Sequence, residues 1–115
     1  MATSRVLYVE DDTFIRGRIT GLLSQELGMD VVGFGVLEEA KAAYARGGFD
    51  AVILDGNIQK HEDGWAWATE LQGQGAKVLV LSISRLPNAP VGLAYISKGR
   101  SLEDIKALLT GFLNS

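Results

Sequence analysis

The sequence predicts an α/β fold in which short buried strands alternate with helices around a parallel sheet. Apolar runs of strand length recur along the chain, and segments with the apolar spacing of an amphipathic helix separate them. Two runs, Val52–Leu54 and Val78–Leu81, contain no polar residue at all. Unbroken runs of this kind are typical of strands that helices cover on both faces of the sheet.

The first two strand–helix units are predicted from apolar spacing and from glycines that follow the helices. The strands are the apolar runs Val6–Val9 and Val31–Phe34. The first helix covers Thr13–Leu27, and Gly28 after it suits the C′ position. The second helix covers Leu37–Arg46 and ends at a pair of glycines. The apolar face of the first helix consists of Ile15, Ile19, Leu22, Leu23 and Leu27.

The third and fourth strands are predicted at Ala51–Leu54 and Lys77–Leu81. A mixed polar loop follows the third strand and runs to Gly64. The third helix then covers Trp65–Gln72. The residues expected to be buried on it are Trp67, Ala68 and Leu71.

The alternation is interrupted after the fourth strand. Pro87 and Pro90 lie too close together for a full helix, so the helix that should precede the fifth strand is expected to be shortened or missing. The fifth strand is predicted at Leu93–Ser97 and the last helix at Ser101–Leu113. The serine that begins this helix and Asp104 three residues later have the spacing of a capping box.

Composition excludes several classes of function. A chain of 115 residues predicts a single domain over residues 1–115, and the absence of cysteine excludes disulfides, thiolate metal sites and cysteine nucleophiles. Eleven basic against 14 acidic residues, with no basic cluster, argue against direct binding to nucleic acid. No apolar stretch approaches the roughly 20 residues of a membrane span, and no signal peptide is recognisable. We therefore expect a cytoplasmic protein that does not bind membranes.

Acidic residues follow two of the predicted strands. Glu10, Asp11 and Asp12 come after the first strand, and Asp55 comes after the third. In the doubly wound order 2-1-3-4-5 these strands are neighbours at the point where ligands bind. Closely spaced carboxylates repel one another unless a cation or a proton intervenes, and Mg²⁺ suits a site of a few carboxylates plus phosphate oxygens.

The ends of the fourth and fifth strands carry groups that suit a phosphorylated carboxylate. Ser82 offers a hydroxyl donor, and Lys98 offers an ammonium that can pair with phosphoryl oxygens. A carboxylate can itself act as a nucleophile toward phosphorus, and the protein contributes positioning and charge neutralisation to such a transfer.

Five segments stand in a specific order and spacing along the chain. They are VLYVEDD at Val6–Asp12, AVILDGN at Ala51–Asn57, the pair Asp63-Gly64, VLVLS at Val78–Ser82 and YISK at Tyr95–Lys98. Through these segments the chain resembles, over essentially its whole length, the receiver domain of response regulators in two-component signalling. The resemblance implies a flavodoxin-like (βα)5 three-layer sandwich with the parallel strand order 2-1-3-4-5, an order known for chemotaxis receivers.

The resemblance also implies a role for individual residues at the phosphorylation site. Asp55 would be the phosphoacceptor, supplied by a histidine kinase or a phosphotransfer protein. Asp11 would bind Mg²⁺ directly together with Asp55, Glu10 would bind it largely through water, and the backbone carbonyl of Asn57 would be a further ligand.

A second group of residues would change conformation on phosphorylation. Ser82 would reorient toward the phosphoryl group and Lys98 would pair with it. Tyr95 would be the switch aromatic whose burial differs between the two states. The implied mechanism is a population shift, not turnover of a substrate, so the chain is not expected to be an enzyme.

The chain departs from the receiver pattern at several positions. Gln59 and Gly99 stand where receivers usually have proline, and Ile83 stands where they usually have a small residue. Ile83 and the shortened segment before Tyr95 favour an alternative, a pseudo-receiver that binds proteins without being phosphorylated. A metal-dependent phosphatase of related architecture is a weaker alternative, because Asn57 occupies the position of its second catalytic acid.

Overall fold

Strands and helices alternate along the chain in the computed structural model, which describes residues 5–10, 12–55, 61–82, 94–97 and 101–113. The strands are β1 (Arg5–Val9), β2 (Asp30–Phe34), β3 (Ala51–Asp55), β4 (Lys77–Ser82) and β5 (Ala94–Ser97). The helices are α1 (Thr13–Gly21), which continues into a π-helical turn at Leu22–Glu26, α2 (Leu37–Ala45), α3 (His61–Gly73) and α4 (Leu102–Leu113).

The five strands form one parallel sheet in the order β2-β1-β3-β4-β5. Both the parallel pairing and the predicted strand order 2-1-3-4-5 are therefore confirmed. Because successive strand residues point to opposite faces, the sheet offers an apolar surface on each side. This explains why the segments Val52–Leu54 of β3 and Val78–Leu81 of β4 contain no polar residue.

Helices cover both faces of the sheet, so the molecule has three layers. One buried cluster joins the strands to α1, its π-helical turn and α4, and the other joins them to α2 and α3. The helical members of the first cluster are Ile19, Leu22, Leu23, Ile105 and Leu109. Those of the second are Leu37, Ala40, Ala43, Trp67, Ala68 and Leu71.

The helix ends follow the capping signals of the sequence in most cases. Asp12 is the N-cap of α1, and its carboxylate accepts a hydrogen bond from the amide of Ile15 at 3.0 Å. The Ser101 hydroxyl accepts one from the amide of Asp104 at 3.2 Å at the start of α4. Gly28 follows the π-helical turn with a φ of 67°, which confirms its expected left-handed conformation.

Two helix boundaries differ from the prediction by more than one residue. The first helix ends as a π-helical turn, in which the amide of Leu27 donates to the carbonyl of Leu22 at 3.2 Å. The prediction that the third helix begins at Trp65 is wrong, because α3 begins at His61 and includes Gly64. A glycine inside a helix costs only about 1 kcal/mol relative to alanine, so Gly64 weakens the start of α3 without ending the helix there.

Some predictions fall on residues outside the described ranges. The interruption around Pro87 and Pro90 and the residue Ile83 lie in the segment 83–93, and Gly99 lies in 98–100. The shortened or missing helix before β5 therefore stays a prediction. Within the described ranges, no helix is long and apolar enough to cross a membrane.

Two glycine substitutions should have opposite effects on stability. Gly28→Ala places a Cβ on a residue with positive φ and should lower the free energy of unfolding by about 1 to 2 kcal/mol. Gly17→Ala is the matched control, because Gly17 is exposed within α1 and a Cβ there would meet nothing within 4 Å. It should raise the free energy of unfolding by about 0.5 to 1 kcal/mol. Urea denaturation measures both, and effects of the same sign would contradict the assignment of the helix end.

Candidate functional site

The parallel register brings the ends of the central strands to one edge of the sheet. Val9 of β1 pairs with Leu54 of β3, so Glu10 and Asp55 are the next residues on two neighbouring strands. Such strands lie about 4.8 Å apart. Asp55 in turn pairs with Leu81, directly before Ser82. The backbones of Glu10, Asp55 and Ser82 therefore meet at the carboxyl edge, as the sequence predicted.

Glu10 is almost completely buried at this edge. Its relative exposure is 1%, and it is the one buried charged residue among those that the structure describes. A carboxylate removed from water loses solvation worth several kcal/mol unless donors or a cation replace it. Burial of this side chain therefore has to be matched by specific partners.

Hydrogen bonds engage every polar atom of Glu10. Its amide donates to the carbonyl of Phe34 on β2 at 2.9 Å, and its carbonyl accepts from Nη1 of Arg16 at 2.7 Å. Its Oε1 accepts from the amide of Asp12 at 3.2 Å, and its Oε2 accepts from the hydroxyl of Tyr8 at 3.3 Å. Both the backbone and the carboxylate of Glu10 are therefore fixed in position.

The acids that follow β1 have different surroundings. Glu10 turns into the protein, whereas Asp12 is exposed and its carboxylate caps α1. Asp12 thus acts as a helix cap, and only its amide contacts the buried carboxylate. Asp11 stands between them in the sequence and lies outside the described residues.

The structure places some of the predicted site residues only in part. Asp55, Ser82 and Tyr95 are on strands at the carboxyl half of the sheet, with Tyr95 paired to Val80, but their side chains lie outside the described atoms. Asp11, Asn57 and Lys98 lie entirely outside the described residues. Within the described residues no group of three potential metal ligands occurs. The roles assigned to these residues stay predictions.

Sequence reasoning missed two residues that hold Glu10. Tyr8 is two residues before Glu10, so both side chains are on the same face of β1, and that spacing was a usable signal. Arg16 is on the second turn of α1 and contacts Glu10 through the backbone. No local pattern indicates such a contact.

Removal of the Tyr8 hydroxyl should destabilise the protein. Tyr8→Phe keeps the buried ring and deletes the donor to Oε2 of Glu10. Because this hydrogen bond is long, at 3.3 Å, we expect its loss to lower the free energy of unfolding by about 1 kcal/mol. Urea denaturation measures it. Tyr44→Phe is the matched control, because Tyr44 lines a pocket with Asp50 and Ala51 at the opposite edge of the sheet. Equal stability of wild type and Tyr8→Phe would contradict the role of the hydroxyl.

Comparisons by sequence and by structure give different results. No protein-family model matches the chain, and no curated protein matches its sequence significantly. Many solved structures match its fold, among them several receiver domains of response regulators.

Three of these structures illustrate the match. A CheY-like receiver domain protein from Methanospirillum hungatei has a TM-score of 0.83 at 22% identity, covering 98% of this chain and 95% of its own. The receiver domain of the sensor histidine kinase PA1611 from Pseudomonas aeruginosa was solved with magnesium coordinated in its active-site cleft. It has a TM-score of 0.80 at 21% identity, and the match covers 99% of this chain and 100% of that domain. The chemotaxis response regulator CheY4 of Vibrio cholerae has a TM-score of 0.78 at 24% identity, and the match covers 96% of this chain and 99% of that protein. This chain therefore has the fold of response-regulator receiver domains.

Proposed function

We propose that the chain is a receiver that accepts a phosphoryl group on Asp55 from a histidine kinase or a phosphotransfer protein in a Mg²⁺-dependent reaction. The observation that supports this proposal is the register of β1 and β3, which brings the backbones of Asp55 and the buried Glu10 together at the edge of the sheet where ligands bind in folds of this kind. We place this exchange in the cytoplasm.

The proposed reaction is a phosphoryl transfer between two nucleophiles. A carboxylate oxygen of Asp55 forms a bond to phosphorus while the bond from phosphorus to the donor's histidine nitrogen breaks, and the imidazole leaves. The protein contributes position and charge in such a transfer. Lys98 would pair with the phosphoryl oxygens and Ser82 would donate a hydrogen bond to them.

The residues at the carboxyl edge suit a hard divalent cation. Asp11, Asp55 and the backbone carbonyl of Asn57 would hold Mg²⁺ directly, and Glu10 would contact it largely through water. When bound, Mg²⁺ would neutralise negative charge on the carboxylates and on the phosphoryl oxygens. The magnesium bound in the cleft of the Pseudomonas receiver supports this choice of metal.

Phosphorylation would shift the population between two conformations, with Ser82 and Tyr95 as the residues that change. The chain would thus act as a switch and would not turn over a substrate. Ile83, directly after Ser82, favours a second candidate, a pseudo-receiver that binds a protein partner without phosphorylation.

Labelling with a small phosphodonor separates these candidates. Incubation with Mg²⁺ and acetyl phosphate should add the mass of one phosphoryl group, which hydroxylamine should remove because acyl phosphates are labile to it. Intact-protein mass spectrometry measures the adduct. Asp55→Asn should abolish labelling, and Glu39→Gln, which alters an exposed acid on α2, should retain it.

Each other outcome of the labelling experiment would contradict the proposal. Wild-type protein that gains no adduct would favour the pseudo-receiver. Steady release of phosphate from the donor without a trapped adduct would favour a phosphatase. Equal labelling of Asp55→Asn would place the phosphoacceptor elsewhere.

Magnesium should stabilise the folded protein by mass action. At a free Mg²⁺ concentration about one hundred times its Kd the gain is about 2.7 kcal/mol, provided that the unfolded chain does not bind the ion. Asp11→Ala should erase this gain and Glu39→Ala should retain it, as measured by thermal unfolding over a Mg²⁺ titration. Stabilisation of the Asp11→Ala variant to the same extent as wild type would contradict the proposed ligand.

A further inference from the structure

The side chain of Arg16 lies against the backbone at the end of β2, where Gly33 and Gly35 carry no side chains. A Cβ added to Gly35 would lie 2.6 Å from Nη1 of Arg16, a separation that real Cβ atoms do not show. A Cβ added to Gly33 would lie 3.3 Å from Cδ and 3.4 Å from Cγ of the same side chain. The side chain of Arg16 therefore passes directly over this stretch of backbone.

Space, and not backbone conformation, distinguishes these two glycines. Neither Gly33 nor Gly35 has a positive φ, so alanine could adopt the same backbone angles at both positions. A Cβ at Gly35 would displace the guanidinium of Arg16, and a Cβ at Gly33 would press against the middle of the same side chain. Gly33 and Gly35 thus leave room for Arg16 where it lies.

The end of this side chain binds the backbone just after β1. Nη1 of Arg16 donates to the carbonyl of Glu10 at 2.7 Å, which is a short, charge-assisted hydrogen bond. The Arg16 amide donates to the carbonyl of Asp12 at 2.9 Å, which is the ordinary backbone bond of the first turn of α1. The contact that is specific to the arginine side chain is therefore the one to Glu10.

We propose that Arg16 is a positioning residue that fixes the backbone of Glu10 at the proposed Mg²⁺ site, through its bond to the Glu10 carbonyl and its position over Gly33 and Gly35. This inference rests on the proposed function. Loss of a residue that orients metal ligands in this way typically weakens metal binding about tenfold to a hundredfold.

An electrostatic role and a positioning role of Arg16 predict opposite changes in Mg²⁺ affinity, which makes the inference testable. A positive charge near the site repels Mg²⁺, so a purely electrostatic role predicts tighter binding when Arg16 is replaced by methionine. A positioning role predicts weaker binding. Gly35→Ala further separates the electrostatic role from the positioning role, because it displaces the guanidinium without removing its charge.

The experiment is calorimetric titration of Mg²⁺ into wild type and variants. Arg16→Met and Gly35→Ala should each raise the Kd about tenfold or more, and the double variant should be no weaker than the weaker single variant, because both changes break the same contact. Gly17→Ala, next to Arg16 on α1, is the matched control and should leave the Kd unchanged.

A second measurement uses metal-free protein. The Asp12 amide, which donates to Oε1 of Glu10, should exchange with solvent faster in Arg16→Met and Gly35→Ala than in wild type or Gly17→Ala. Amide exchange followed by NMR reports this, and urea denaturation shows that each variant is folded.

The outcomes distinguish this inference from the proposed function. Unchanged or tighter Mg²⁺ binding in Arg16→Met overturns the positioning role alone, as does additive weakening in the double variant. Lower stability of the variants with an unchanged Kd shows a purely structural role and also overturns it. A wild-type protein that binds no Mg²⁺ overturns the proposed function, and the inference with it.

Discussion

The buried carboxylate of Glu10 constrains the elements that meet at the carboxyl edge of the sheet. A charge shielded from water to this extent is tolerated only where hydrogen bonds replace the lost solvation. The carboxylate accepts from the hydroxyl of Tyr8 on β1 and from the amide of Asp12, the N-cap of α1, while the backbone of Glu10 bonds to Phe34 at the end of β2 and to Arg16 on α1. These elements have to keep their relative positions for the set of bonds to persist, so core and site depend on the same arrangement.

The register of β1 links the apolar core to this edge. Val6 and Tyr8 belong to the cluster beneath α1 and α4, while Leu7 and Val9 belong to the cluster on the opposite face. A slip of one residue would exchange the two faces and carry Glu10 to the wrong side. Packing that stabilises the strand therefore also decides where its terminal acid points, which is why a chain with little sequence identity to known receivers can keep their geometry.

Local sequence signals determined most of the architecture. The unbroken apolar runs specified the central strands because helices cover both of their faces, and helical spacing specified Trp67 and its neighbours as core residues. Ser101 and Gly28 marked helix ends because caps and positive φ angles restrict residue type. The acids at two strand ends indicated the candidate site at the carboxyl edge, because parallel strands bring their carboxyl ends together.

Tertiary structure decided the features that depend on contacts between distant parts of the chain. Arg16 crosses Gly33 and Gly35 to reach the Glu10 carbonyl, a contact that joins a helix, a strand end and a connection with no shared periodicity. The sequence by itself determined that the backbones of Glu10, Asp55 and Ser82 meet at one edge of the sheet, whereas only the folded chain decided how Glu10 is held, because orientation depends on neighbours that local patterns do not encode.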